Sequence, residues 1–364
     1  MTGGTGSSGS GGSGGGSGSG GGGAGIGSGA PAPGAAGSGR AARTRGASGL
    51  PGPDALARAR LLVSPSLDSG LVRELERIAG RGAEPLTDVP PPGDEPLLCV
   101  GETLPDALRT SRLLWFHSVN AGTDPLLSAG PWPTPALLTR TVGRMGERIA
   151  QYVLGWVLAE CQSVAEFTAQ HARAHWERLP TELVAGQTAL VYGTGRIGGA
   201  VAGLLRGCGV RTVGVARTAR TGPPPPGFDR VIGAEEDAGE LVGARWVIST
   251  LPLTGATQGF FGAARFGAVR GPTFVNVGRG ATVDLGALEA ALRDGRVRRA
   301  VLDVLPTEPA APGDPVWQLP RTVITSHSSG ITADEDVLVD FTACWDAVAA
   351  GSRPGLTVDV GRGY

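Results

Sequence analysis

Apolar positions fall into two stretches of alternating strand and helix, joined by a long apolar helix. In the first stretch, residues 60–64 read as a strand, and 69–79 place Leu71, Val72, Leu75 and Ile78 at helical spacing. Leu97-Leu98-Cys99-Val100 and Leu113-Leu114-Trp115-Phe116 are continuous apolar runs of the kind that form buried strands, with a short helix predicted over 105–109 between them. The spacing then predicts a strongly apolar helix over 147–161 and another over 163–176. After these the pattern restarts. Strands are predicted at 188–192, 211–216, 246–250, 273–276, 300–304 and 323–325, with helices at 197–208, 285–294 and 334–350. Strands alternating with helices imply parallel sheets covered by helices, so the fold class is α/β, and the second unit has the strand count of a doubly wound sheet.

Composition bounds the rest. Residues 1 to about 50 are almost entirely Gly, Ser and Ala, with Arg40, Arg43 and Arg45 near the end. Such a segment buries too little apolar surface to offset its chain entropy, so 1–53 is expected to be a disordered tail, with globular sequence starting near Asp54. The net charge of -1 gives no electrostatic case for nucleic acid or an anionic membrane as partner. No stretch has the length and apolarity of a membrane span, and the N-terminus has no apolar signal core. Cys99, Cys161, Cys208 and Cys344 are scattered, without metal spacing, as in reduced cytoplasmic proteins. No metal site is expected. His171 and His175 lie one helical turn apart, but no further ligand accompanies them. All the basic residues are arginine, which removes any mechanism that needs a Schiff-base lysine.

Candidate chemistry begins at Gly193-Thr194-Gly195-Arg196-Ile197-Gly198. In a chain with 62 glycines a lone GxGxxG means little, but this one follows a predicted strand and opens a predicted helix, as a dinucleotide site requires. The first Gly allows the tight turn, the second lets backbone approach a pyrophosphate, and the third packs helix on strand. The next strand ends in Val215-Ala216-Arg217-Thr218-Ala219-Arg220, with no acid to accept ribose hydroxyls. Arg217 suits a 2′-phosphate and Thr218 adds a hydroxyl, so NADP is favoured over NAD. Three later segments leave strand ends, where ligands bind in open α/β sheets. They are Asn276-Val277-Gly278-Arg279-Gly280, Leu302-Asp303-Val304-Leu305-Pro306-Thr307-Glu308-Pro309, and Ile324-Thr325-Ser326-His327-Ser328-Ser329-Gly330.

These segments, with the glycine loop and Leu251-Pro252-Leu253-Thr254, resemble the D-isomer-specific 2-hydroxyacid dehydrogenases in order and spacing. The likeness runs from about residue 97 to the C-terminus. It is greatest for the glyoxylate/hydroxypyruvate reductase A branch, which shares an Arg after the second strand and an ending like Val358-Asp359-Val360-Gly361-Arg362-Gly363-Tyr364. The resemblance implies two Rossmann/flavodoxin-like domains. A substrate domain of 54–152 and 333–364 is discontinuous, with a dinucleotide-binding domain of 153–332 inserted in it. It implies reduction of a small 2-keto acid to the 2-hydroxy acid with NADP or NAD, in a homodimer. His327 resembles the acid/base; an imidazole suits proton transfer near neutral pH. Glu308 resembles the carboxylate that orients this ring, and Arg279 the arginine that grips the substrate carboxylate and carbonyl. Asp303 is expected on the nicotinamide side, with Leu251, Pro252 and Val277 also lining the cofactor. Asn120-Ala121-Gly122 resembles the substrate loop.

The sequence departs from the family pattern at three places. Ser326 replaces a usual Pro before the histidine and is expected to loosen that loop. Gln151 stands in place of an acid, and Asn120 in place of Gly. A different class of function, a dinucleotide-sensing protein like the co-repressors related to this family, fits the same motifs. It would need a partner motif in residues 1–50, and none is evident. Loss of a specific partner from tail-deleted protein in a pull-down would favour it.

Overall fold

A computed structural model describes residues 50–219 and 222–361. The expected tail, with Arg40, Arg43 and Arg45, lies almost wholly outside them. Packed structure starts slightly before Asp54, because Leu50 is already buried and helix α1 (Pro53–Arg58) follows with Pro in its first turn.

The first sheet contains β1 (Arg60–Val63), β2 (Ala83–Pro85), β3 (Leu97–Gly101), β4 (Leu113–Ser118) and β5 (Leu137–Arg140). All pairs are parallel, in the order β2-β1-β3-β4-β5. Helix α2 (Ser69–Ala79) covers one face; the Asp68 side chain accepts from the Gly70 N–H at its start and Gly80, at φ 67°, ends it. Short α3 (Asp124–Ser128) follows β4. Helices α4 (Met145–Cys161) and α5 (Val164–Ala172) lead away from this sheet.

The second sheet contains β6 (Thr188–Tyr192), β7 (Arg211–Ala216), β8 (Arg230–Gly233), β9 (Trp246–Ser249), β10 (Thr273–Asn276), β11 (Arg299–Leu302) and β12 (Thr322–Ile324). Its order is β12-β11-β10-β9-β6-β7-β8, again all parallel. The order reverses beside β6, and the strand flanks there open the crevice in which doubly wound sheets bind ligands. Helix α6 (Arg196–Gly207) packs against α4, and Val201, Ala202 and Leu205 join Val153 and Val157 in one buried cluster. The last helix, α7 (Asp334–Ala349), returns to the first sheet. Its Val337, Phe341, Cys344 and Val348 sit in the core with Leu61, Leu98 and Trp115, and Phe341 stacks on Trp115 at 5.5 Å.

Helix α5 ends at Ala172, four residues short of the sequence expectation, where backbone N–H groups of Arg173 and Ala174 turn back onto Gln170 and His171. Trp176 beyond it is fully exposed.

His117 is a buried polar residue on β4. Its ring nitrogens meet Thr139 Oγ1 at 2.7 Å and Thr141 Oγ1 at 3.1 Å. Burial pushes the imidazole down to about 3, so the folded protein holds it neutral. The unfolded chain takes up a proton near pH 6.5 and the folded chain does not. Stability from this residue is therefore complete above 6.5 and declines towards pH 3, by up to about 1.4 kcal/mol per pH unit. Denaturant unfolding between pH 7 and 4 should show a shallower slope in His117→Gln. Equal slopes would mean that other groups carry the acid sensitivity.

Candidate active site

Parallel strands deliver their carboxyl ends to one edge, and the residues singled out from sequence gather there. At the end of β6, Gly193 adopts φ 97°, and a β-carbon on Gly198 would lie 1.8 Å from the Gly193 carbonyl oxygen. Neither position tolerates a side chain. At Gly195 a β-carbon would meet nothing within 4 Å. That open space lies at the start of α6, whose first turn has no side-chain cap. The loop thus fits a pyrophosphate: room for the group, and unpaired helix N–H groups facing it. Arg196 is exposed and Ile197 partly buried at the same turn. Arg217 and Thr218 are exposed just past β7, and among the described residues no carboxylate pairs with Arg217. Arg220 lies outside the described residues. Gly278 packs on the Leu251 backbone so closely that a β-carbon would sit 2.5 Å from the Leu251 carbonyl oxygen, and Val277, the residue before it, is buried. Pro252 is exposed beside them.

His327 and Glu308 meet. His327 Nδ1 donates to Glu308 Oε2 at 2.7 Å, and Glu308 Oε1 accepts from the Leu305 N–H at 2.7 Å. The carboxylate has no proton to give, so Nδ1 carries the hydrogen and Nε2 is left for chemistry. The ring is 53% exposed, which keeps Nε2 accessible from the cleft.

Asp303 sits beneath this ring, 1% exposed. Its carbonyl accepts the His327 N–H at 2.7 Å. Its carboxylate accepts the N–H groups of Ser328 (2.8 Å) and Ser329 (3.1 Å) and the hydroxyls of Thr325 (2.7 Å) and Ser329 (2.5 Å). Three consecutive N–H groups therefore wrap one aspartate. The expectation placed Asp303 on the nicotinamide side; in this structure its carboxylate is engaged by the histidine loop. Ser326 and His327 both take left-handed backbone, φ 53° and 55°. Proline, fixed near −65°, does not fit that conformation. The expected loosening at Ser326 gives way to a loop pinned from below.

Tyr152, from α4, adds a further tie. Its hydroxyl lies 2.6 Å from Thr325 Oγ1, and since the threonine hydrogen goes to Asp303, Tyr152 is the donor. Burial pushes this phenol up to about 12, which keeps that proton in place.

From the first sheet, the loop after β4 reaches across. The Asn120 N–H lies 3.2 Å from Ser118 Oγ, and Gly122 packs under Arg279 so tightly that a β-carbon would fall 1.8 Å from Nη2. Arg279 also grips Asp124. Nε donates to both carboxylate oxygens at 3.1 Å and Nη2 to Oδ1 at 2.9 Å, while Nη1 donates to its own chain at the Gly278 carbonyl, 2.9 Å away. Asp124 and Tyr152 had no assigned role from sequence. Both meet partners more than 150 residues away, a relation that no local spacing reports.

Comparison with known proteins bears on this arrangement. Residues 154–329 match the model of the D-isomer specific 2-hydroxyacid dehydrogenase NAD-binding domain. Glyoxylate/hydroxypyruvate reductase A of Serratia proteamaculans (strain 568) is 30% identical over 260 residues, 70% of this chain and 82% of that protein. This chain belongs to the D-isomer specific 2-hydroxyacid dehydrogenase family. A Streptomyces coelicolor relative, described as the uncharacterized protein in the mprR 3′ region, is 58% identical over 74% of this chain and 97% of its own length. A solved family member from Xanthobacter autotrophicus Py2, in complex with NADPH and MES, superposes with TM-score 0.74 at 27% identity. It covers 84% of this chain and all of its own. As a 2-hydroxyacid dehydrogenase the chain is an oxidoreductase that uses NAD or NADP. Among the described residues, no helix is long and apolar enough to cross a membrane.

Proposed function

We propose that the chain reduces a small 2-oxo acid of the glyoxylate or hydroxypyruvate type to its 2-hydroxy acid, with NADPH preferred. The observation that carries this reading is the His327–Glu308 pair at 2.7 Å, set at the strand ends where Arg279 meets the Asn120-Ala121-Gly122 loop. Residues 54–152 with 333–364 serve as the substrate domain and 153–332 as the dinucleotide-binding domain, in a cytoplasmic homodimer.

Backbone of Gly193, Gly195, Arg196, Ile197 and Gly198 holds the cofactor pyrophosphate. Leu251, Pro252 and Val277 line its path, and Arg217 with Thr218 takes the ribose phosphate. The bound reduced nicotinamide supplies the hydride. His327 donates its Nε2 proton to the carbonyl oxygen, and Glu308 keeps the ring oriented and stabilises its charged form. Arg279 presents planar donors to the substrate and to the negative charge growing on oxygen. Asp303 acts through the histidine loop, holding the imidazole in register.

Nicotinamide absorbance decay, with NADPH and NADH crossed against glyoxylate, hydroxypyruvate, pyruvate and phenylpyruvate, tests the activity. Oxidation with a 2-oxo acid is the expected result; no oxidation with any pair, in protein that binds the cofactor, would overturn it. In the same assay Arg217→Ala should raise KM for NADPH by about 10- to 100-fold, the worth of a charge-assisted contact, with little change for NADH. Equal losses would show that Arg217 does not read the 2′-phosphate.

A further inference from the structure

Arg140 closes β5, and neither the sequence motifs nor the family likeness gave it a role. Its Nη1 donates to the Ala121 carbonyl at 3.0 Å. Ala121 is the middle residue of the Asn120-Ala121-Gly122 loop, and the next residue, Gly122, lies directly against Arg279. Two guanidinium groups therefore bracket one short turn.

The two differ in how they are balanced. Arg279 has the Asp124 carboxylate on Nε and Nη2, and a carbonyl on Nη1. Arg140 is partly buried, and among the described residues no carboxylate pairs with it. Burial, and then the nearby cations Arg196 and Arg279, hold its pKa below the ordinary arginine value. An arginine stays charged even so, and a partly buried cation without a counter-ion is unfavourable until an anion joins it. Among the described residues, Arg140 and Arg279 stand around the loop against Asp124, two positive charges and one negative. One monocarboxylate brings that set to neutrality. Arg196 is set apart from the count, because it stands at the phosphate turn.

We propose that Arg140 is a substrate-binding residue, holding the carboxylate of the 2-oxo acid beside the Asn120-Ala121-Gly122 loop and leaving Arg279 to the carbonyl oxygen. This rests on the 2-oxo acid reading above. It explains why Arg279 can stay paired with Asp124: the charge that recruits the substrate is the unbalanced one. It also separates two tasks. Carboxylate binding sets KM, and contact with the growing alkoxide sets kcat.

The test uses the full chain with NADPH and three variants. Arg140→Gln keeps a donor for the Ala121 carbonyl and loses the charge, Arg140→Lys keeps the charge, and Arg140→Ala keeps neither. KM for glyoxylate should rise by about 10- to 100-fold in Gln and Ala, and recover in part in Lys. kcat should change far less, and the Kd of NADPH should not change. Titration of the NADP-bound protein with oxalate, followed by tryptophan fluorescence, should show the same ranking, and it reads the site without turnover. Full recovery by Gln would reduce Arg140 to a support for the loop. Weakened NADPH binding with unaltered oxalate affinity would assign it to the cofactor. Unaltered KM and oxalate affinity in all three variants would overturn the proposal while leaving the reductase reading intact. Wild-type protein that binds oxalate through Arg140 yet reduces no 2-oxo acid would sink the reductase reading alone.

Discussion

His327→Ala is expected to lower kcat for 2-oxo acid reduction by about 10²- to 10⁴-fold, the usual worth of a positioned general acid, while NADPH binding is retained. The size follows from how completely the ring is prepared. Glu308 takes Nδ1–H and is itself held by the Leu305 N–H, while Asp303 fixes the backbone N–H groups of the histidine and of Ser328 after it. The other three imidazoles have other surroundings: His117 is buried in the first sheet between two threonines, His171 is exposed on α5, and His175 pairs with exposed Glu177. Glu308→Gln should cost less, because an amide oxygen still accepts from Nδ1 and only the charge is lost. Single-turnover rates with saturating NADPH separate the two variants from binding defects. An unchanged rate in His327→Ala would remove the proton-transfer role.

Arg279→Ala is expected to lower kcat/KM by about 10²- to 10⁴-fold, from two sources. The substrate loses its planar donors, and Asp124 loses its cation and becomes an unpaired negative charge where a carboxylate must bind. The pair is only partly exposed, 28% and 34%, so solvent does not fully screen that charge. The double variant Arg279→Ala/Asp124→Asn should therefore regain part of KM but none of the kcat lost with Arg279. If the second substitution recovers nothing, repulsion by Asp124 plays no part in the defect.

Most of the central framework was legible in the sequence. Buried parallel strands need apolar runs, and β3, β4, β6 and β9 announced themselves that way. The strands that went unread, β2, β5 and β8, all lie at sheet edges. An edge strand needs no long apolar run: Ala83-Glu84-Pro85 has none, and Leu137-Leu138-Thr139-Arg140 and Arg230-Val231-Ile232-Gly233 each hold only two adjacent apolar residues. Missing β5 also hid Arg140, which stands at its end.

The sequence by itself determined the α/β class, the glycine turn at Gly193–Gly198, and the strand ends from which Arg279, Glu308 and His327 project. Each rests on short-range periodicity or on a glycine with a stated steric need. Only the tertiary structure decided the partners: Asp124 on Arg279, Asp303 under the left-handed turn at Ser326 and His327, Tyr152 on Thr325, and Arg140 against the Asn120-Ala121-Gly122 loop. These contacts join segments between 19 and 173 residues apart. They follow from parallel strands bringing distant loops to one edge, and the direction each side chain takes there is set by packing and charge balance, which leave no periodic trace in the chain.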